Sequence, residues 1–411
     1  MSDPMFHARI ALRITVVTLV CAACLEAAAQ EKTKSPLKQL SSTQKTDARN
    51  AVLGEGKTYD TAIAKVREAP PLAKSAVEDF LKKFVFPLPA QKSGLKKRTV
   101  KIAAGEREFM LHIPKGYTPA KPLPLIISLH GAGGNGSGEF DWMWAGETKK
   151  WTGFVACPSG QPPGAQWFPE QEEFIFALLK DVMTNFNVDT NRVYIHGFSN
   201  GGNGAWYYAV NFPWFFGAAC PRGGANPCSD GIENLLNIGV YAIHGEKDTV
   251  IPCSRDAENA AKLKELGYDV VYVEFPGGGH EPFQKETPKV IEYFNKHPRN
   301  PWPKKINYAR REAKPVRAYW VEVTKASGQF QVKAEVQEGN KISIETSGTD
   351  EIRLHLSDAL VDLDKPVTVT LNGSETHNAV VPRTLEAIVT DLRETRDLNA
   401  AASAWLVLEV K

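Results

Sequence analysis

Residues 193–202 read Val-Tyr-Ile-His-Gly-Phe-Ser-Asn-Gly-Gly, an apolar run that stops in glycines around a single serine. Gly197, Ser199 and Gly201 form G-x-S-x-G, and Ala205, Tyr208, Ala209 and Phe212 then recur at i, i+3, i+4 and i+7 on one helical face. Strand, sharp turn and helix in that order are the sequence form of a nucleophile elbow. Small residues two before and two after the serine let the two arms of such a turn close together. The serine then stands over a helix start, where free backbone N–H groups favour developing negative charge.

Outward from this stretch, short apolar runs alternate with amphipathic helix patterns. A hairpin-like pair (Thr99 to Ala103, Glu108 to Ile113) precedes runs at Leu123–His130, Phe154–Pro158, Gly217–Cys220, Val240–His244 and Val270–Phe275. Between them, Phe174, Leu178 and Val182 head a clear helical stripe. Fully apolar short strands between amphipathic helices predict an α/β fold with a doubly wound, mostly parallel sheet over residues 98–298. Residues 299–312, with Pro301 and Pro303, read as a linker. Beyond them the period changes to two, predicting a small β-sandwich-like domain at 313–411 with a hairpin at Asn372-Gly373. Residues 30–97 read as a polar stretch, flexible to about Asn50, followed by helical patches.

Arg9 and Arg13 flank the start of an apolar run over 14–24, and Ala27-Ala28-Ala29 supplies a small-x-small site, so residues 1–29 read as an export signal cut before Gln30. That run is short for a bilayer, and no other stretch approaches transmembrane length. The remaining Cys157, Cys220, Cys228 and Cys253 permit two disulfides in an oxidising compartment, with three pairings open. A net charge of +2 gives no reason to invoke nucleic acid. At 411 residues, more than one domain is expected.

Acyl transfer requires a base for the serine, an orienter for the base, and N–H donors for the oxyanion. In this architecture the acid and the base follow the serine in that order, each just past a strand. Asp248 sits in the loop after Val240–His244, with Glu246 as the competing carboxylate. His280 follows Val270–Phe275 and three glycines, a context that His297 and His355 lack. The oxyanion donors are expected at the amides of Asn200, next to the serine, and Ala132, with Gly133 the neighbouring choice. G-x-G-x-x-G at Gly131, Gly133 and Gly136 invites a dinucleotide, but no acidic residue ends the next strand to hold a ribose. No zinc spacing occurs, so the reading calls for no cofactor and no metal. Trp142, Trp144, Trp151, Trp167, Phe168, Trp206 and Tyr207 form an aromatic set, of which Trp167, in a Gly/Pro-rich loop, is the substrate-binding candidate.

The stretches L-H-G-A-G-G from Leu129, G-F-S-N-G-G from Gly197, H-G-E-K-D-T-V-I-P from His244 and G-G-G-H from Gly277 resemble the α/β-hydrolase superfamily. Within it they are similar to secreted polyhydroxybutyrate-depolymerase-like, feruloyl and acetylxylan esterases, and to dienelactone and prolyl-oligopeptidase-like hydrolases. The resemblance covers residues 98–298 and implies Ser199 as nucleophile, Asp248 as acid and His280 as base. The expected function is exported carboxylic-ester hydrolysis through an acyl-enzyme, on an ester substrate that could be polysaccharide- or polymer-linked. Two alternatives stand beside it. One is a prolyl-oligopeptidase-type peptidase, for which the chain has no propeller repeat. The other is a non-catalytic envelope or polysaccharide-binding protein on the same scaffold.

Overall fold

The computed structural model describes residues 36–410 apart from 163, 229, 230 and 315. The export signal expected at 1–29 lies outside the described residues. Two compact units are present, one from the described residues up to Lys83 with Pro382–Val389, the other from Phe84–Val381 with 390–410.

The first unit carries helices Ser42–Leu53, Lys57–Arg67 and Lys74–Lys83. The expectation of a flexible stretch to Asn50 fails from Ser42 onward. Ser41 Oγ accepts the Gln44 N–H at 3.2 Å while Gln44 Oε1 accepts the Ser41 N–H at 2.9 Å. This reciprocal cap starts a helix that buries Ala48, Ala51 and Val52.

The second unit contains the expected α/β sheet. Its strands are β1 (Gly94–Ile102), β2 (Gly105–Ile113), β3 (Leu123–Leu129), β4 (Phe154–Pro158), β5 (Val188–Phe198), β6 (Ala218–Arg222), β7 (Gly239–Gly245) and β8 (Val270–Phe275). They lie in the order β1-β2-β4-β3-β5-β6-β7-β8. The β1–β2 and β2–β4 pairs are antiparallel, and every pair from β4–β3 to β7–β8 is parallel. This is the α/β-hydrolase fold.

Successive strand residues feed opposite faces, as the two-residue period requires. Ile127 and Ile195 pack under helices Glu172–Asn185 and Asn200–Asn211 with Phe174, Leu178, Val182, Ala205 and Tyr208. Ile126 and Tyr194 face the other way, with Trp144, Val290 and Phe294. The Tyr194 and Phe294 rings stack at 4.5 Å. With both faces covered, the strands had to be continuously apolar, which is why their runs were visible.

A second sheet follows, built from β9 (Lys305–Arg310), β10 (Val316–Ala318), β11 (Val321–Gln337), β12 (Lys341–Leu356), β13 (Val367–Leu371), β14 (Ser374–Ala379) and β15 (Ala404–Glu409). The long β11–β12 pair shifts register between Val323 and Gln331. On one side of the shift it pairs with β9 and β13, on the other with β10 and β15. Both halves contribute to one core around Trp320, Val332, Ile344 and Leu354. The run Arg317–Val323 is broken at Tyr319, whose φ of 57° makes a turn. Asn372 (φ 48°) and Gly373 (φ 83°) form the expected hairpin turn. A helix at Leu385–Thr395 was not expected in this region.

Candidate active site

The elbow places Ser199 between β5 and helix Asn200–Asn211 at φ 58°, ψ −120°, a conformation that non-glycine residues rarely occupy. The glycines on either side have a steric reason. A Cβ on Gly197 would stand 2.1 Å from the Gly201 carbonyl oxygen, and one on Gly201 would stand 1.9 Å from that of Leu129. Neither approach is possible for a larger residue. The Ser199 N–H donates to the Arg222 carbonyl at 2.9 Å, tying the elbow to the end of β6.

Asp248 and His280 follow β7 and β8, the two strands beyond β6. His280 Nε2 lies 2.8 Å from Ser199 Oγ, and its Nδ1 lies 2.6 Å from Asp248 Oδ2. Asp248 Oδ1 accepts the N–H groups of Val250 and Ile251 at 2.8 and 2.9 Å. Burial works against the Asp248 charge, but the hydrogen bond from His280 and those two amides hold its carboxyl below the usual range. Glu246, the competing carboxylate, instead accepts the Gly277 N–H at 2.6 Å. His297 and His355 are engaged elsewhere, with Asp269 and with Glu322 and Asp391.

Asn200 is the first residue of its helix, so its N–H has no partner within the helix. Ala132 occupies the second position of a turn closed by the Gly134 N–H on the Gly131 carbonyl at 3.1 Å. Gly133, third in that turn, has φ +74°, which a type II turn requires. His130 holds this loop in place. Its Nδ1–H donates to the Gly131 carbonyl at 2.7 Å, and its Nε2 accepts the Gly160 N–H at 3.0 Å. Burial lowers the His130 pKa, which suits a neutral ring with one donor and one acceptor. Sequence reading left His130 unassigned although it lies inside L-H-G-A-G-G.

Trp167 requires a correction as the substrate-binding candidate. It is 1% exposed and belongs to the core. Its indole N–H donates to the His130 carbonyl at 2.9 Å, and its ring lies against the space left by Gly160 and Gly204. A Gly/Pro-rich loop suggested exposure, but the loop folds inward because the indole has a buried acceptor to satisfy. Trp144, Trp151 and Trp206 are likewise buried, whereas Trp142 is 49% exposed. The Trp142 ring sits 5.7 Å from that of Phe198, which lies 4.9 Å from the His280 ring.

Arg222, fully buried at the end of β6, donates from Nη1 to the carbonyls of Pro282 and Phe283 and from Nη2 to Thr287 Oγ1. It thereby pins the loop that carries His280. Its signal was weak, one arginine in the apolar run Ala218–Arg222. All four cysteines beyond the N-terminal run are free thiols, and no disulfide joins Cys220 to Cys253. Among the described residues no helix is long and apolar enough to cross a membrane.

A sequence model of the phospholipase/carboxylesterase family matches residues 163–298. A probable feruloyl esterase C of Aspergillus flavus is 30% identical over 192 residues, covering 44% of this chain and 70% of that protein. Feruloyl esterase C of Emericella nidulans is 34% identical over 156 residues, covering 36% of this chain and 56% of that protein. Among solved structures, a thermostable esterase aligns with a TM-score of 0.45 at 26% identity, over 50% of this chain and 63% of its own.

Proposed function

This chain belongs to the α/β-hydrolase family that holds the feruloyl esterase C enzymes, and from that premise we propose that it cleaves carboxylic esters of aryl acids through Ser199, His280 and Asp248. The observation that carries the reading is the unbroken line from Ser199 Oγ to His280 Nε2 at 2.8 Å and from His280 Nδ1 to Asp248 Oδ2 at 2.6 Å. His280 takes the hydroxyl proton as Oγ attacks the ester carbonyl, and Asp248 orients the ring and stabilises the imidazolium that forms. The Asn200 and Ala132 amides receive the oxyanion. Each such donor is worth about 10²–10³ in turnover. His280 returns the proton to the leaving alcohol, and water then releases the acyl group by the same steps.

The aryl preference rests on Trp142, a large exposed ring beside the Phe198–His280 pair, and on the feruloyl substrates named in the relatives. Export rests on the basic, apolar and small-residue pattern of residues 1–29. The test is turnover of methyl ferulate and p-nitrophenyl acetate by the wild type, Ser199→Ala and Trp142→Ala. Ser199→Ala should lose about 10⁴-fold or more on both esters. Trp142→Ala should raise KM for ferulate about fivefold, the loss of one ring stacking contact, and leave acetate nearly unchanged. Equal effects on both esters would remove Trp142 from the acyl pocket.

A further inference from the structure

We propose that His244 is a positioning residue for ester hydrolysis, an imidazolium locked between Asp256 and Asp248 that fixes the Asp248 carboxylate. The inference rests on the reading of Ser199, His280 and Asp248 given above. His244 is the last residue but one of β7 and is fully buried. Its Nδ1 lies 2.8 Å from Asp256 Oδ2. Its Nε2 lies 2.9 Å from the Ile251 carbonyl oxygen and 3.3 Å from Asp248 Oδ2. Every partner of both ring nitrogens is therefore an acceptor. A neutral imidazole fits this setting only with a proton on Asp256 Oδ2, whereas the doubly protonated ring donates to all three oxygens.

Asp256 lies on helix Ser254–Glu265 and is fully buried. Its other oxygen accepts the Trp206 indole N–H at 2.7 Å, so its partners are donors, as an anion requires. Burial outweighs the hydrogen bonds from His244, Trp206 and the Gly224 amide and leaves the Asp256 carboxyl above its ordinary range. For His244, burial alone would lower the pKa, but Asp256, the Ile251 carbonyl and Asp248 outweigh it and raise the value. The other titratable groups that sense this pair are thiols and a phenol. Cys220 on β6 is pushed up to about 11 by burial, and Tyr272 on β8 and Cys253 beside Asp248 are also pushed up. All three stay neutral near pH 7, so the charges that matter here are Asp256, His244, Asp248 and His280.

Asp248 Oδ2 consequently faces two imidazoles, His280 at 2.6 Å and His244 at 3.3 Å. A cation fixed on one side keeps this oxygen anionic and holds it on the line to His280 Nδ1. Two variants remove the fixed charge from opposite ends. His244→Gln deletes the imidazolium, and Asp256→Asn lets His244 become neutral.

The experiment pairs imidazole nitrogen NMR on the wild-type chain with steady-state kinetics of both variants on methyl ferulate. His244 should carry protons on both nitrogens near pH 7. In both variants kcat should fall about tenfold with KM nearly unchanged, because a displaced Asp248 misorients the base and not the bound ester. A neutral or titrating His244 overturns the proposal whether or not the variants fold. Folded variants that keep the wild-type kcat, or whose loss falls on KM, also overturn it, because a displaced Asp248 would act on kcat. If Ser199→Ala keeps its turnover, the underlying reading of the site falls and the positioning role with it. The NMR result on His244 is independent of that outcome, so the two failures are distinguishable.

Discussion

Glu139 stands 3% exposed beneath the nucleophile strand, with Ser128 donating to its carboxylate at 2.5 Å and the His196 ring nitrogen 3.8 Å away. Burial pushes its pKa up to about 7, against the opposing hydrogen bond from Ser128 and the charge of Arg222. A raised carboxyl pKa means that between about 4.5 and 7 the folded protein holds a proton that the unfolded chain has released. Stability therefore falls as pH rises through that window, and the penalty is complete above it. By linkage it amounts to about 3 kcal/mol. Glu139→Gln should match the wild type near pH 4 and exceed it by about 2–3 kcal/mol at pH 8, read from urea denaturation. A variant whose stability falls as steeply with pH as the wild type's would contradict this account. At this scale the residues that the structure brings together were marked in the sequence where candidate chemistry and turn geometry coincide, as at Gly197, Ser199, Gly201, Asp248 and His280. The sequence was opaque at Glu139, His130, Arg222 and His244. His130, Arg222 and His244 lie in or beside apolar runs and Glu139 in a Gly/Ser-rich loop, where nothing local distinguishes a polar side chain with a distant buried partner.

Strand ends organise the site. Ser199 follows β5, Arg222 closes β6, Asp248 follows β7 and His280 follows β8, and these four strands are neighbours in the sheet. The start of the loop after β8 is tied to Glu246 and Lys247 through Gly277 and Gly278, and Arg222 adds fixed points beyond His280 at Pro282, Phe283 and Thr287. Arg222→Met should leave those acceptors unpaired and cost about 2 kcal/mol or more of stability. By loosening His280 it should lower kcat about 10- to 100-fold with little change in KM. Steady-state kinetics that show kcat unchanged would remove Arg222 from this role. The α/β elements themselves were read from sequence because doubly covered strands and one-sided helices leave strong patterns. Helix Leu385–Thr395 was missed although Leu385, Ile388, Val389 and Leu392 recur at helical spacing and are buried. A single helix surrounded by period-two runs is easily absorbed into them. The start of helix Ser42–Leu53 was missed for another reason, since its signal is a cap rather than an apolar stripe.

Within the second unit, the helical elements that flank the α/β sheet are hydrogen-bonded to the second sheet. Asn234 and Ala309 exchange two hydrogen bonds, and the Tyr308 hydroxyl donates to the Asn211 carbonyl at 2.9 Å. Arg299 pairs with Asp397 at 2.5 Å while holding Asn191 and the Trp214 carbonyl, and both charged side chains are buried. Removing one partner of a buried pair leaves the other uncompensated. Asp397→Ala should thus cost about 3–5 kcal/mol. The α/β sheet and the second sheet should melt together in one calorimetric transition, and Asp397→Ala should lower the Tm of both. Two well-separated transitions would show that the sheets fold independently. Sequence periodicity located the change from α/β to β pattern near residue 313, but it carries no information on how much surface the two parts share. That information sits in scattered polar residues such as Asn234, Asp397 and Arg299.

The most direct test of the central claim is to treat the folded protein with a fluorophosphonate and map the adduct by peptide mass spectrometry. A single phosphonyl adduct on Ser199 is expected, absent in Ser199→Ala and formed far more slowly in His280→Ala. A folded wild type that remains unlabelled, or an adduct on another serine, would contradict it.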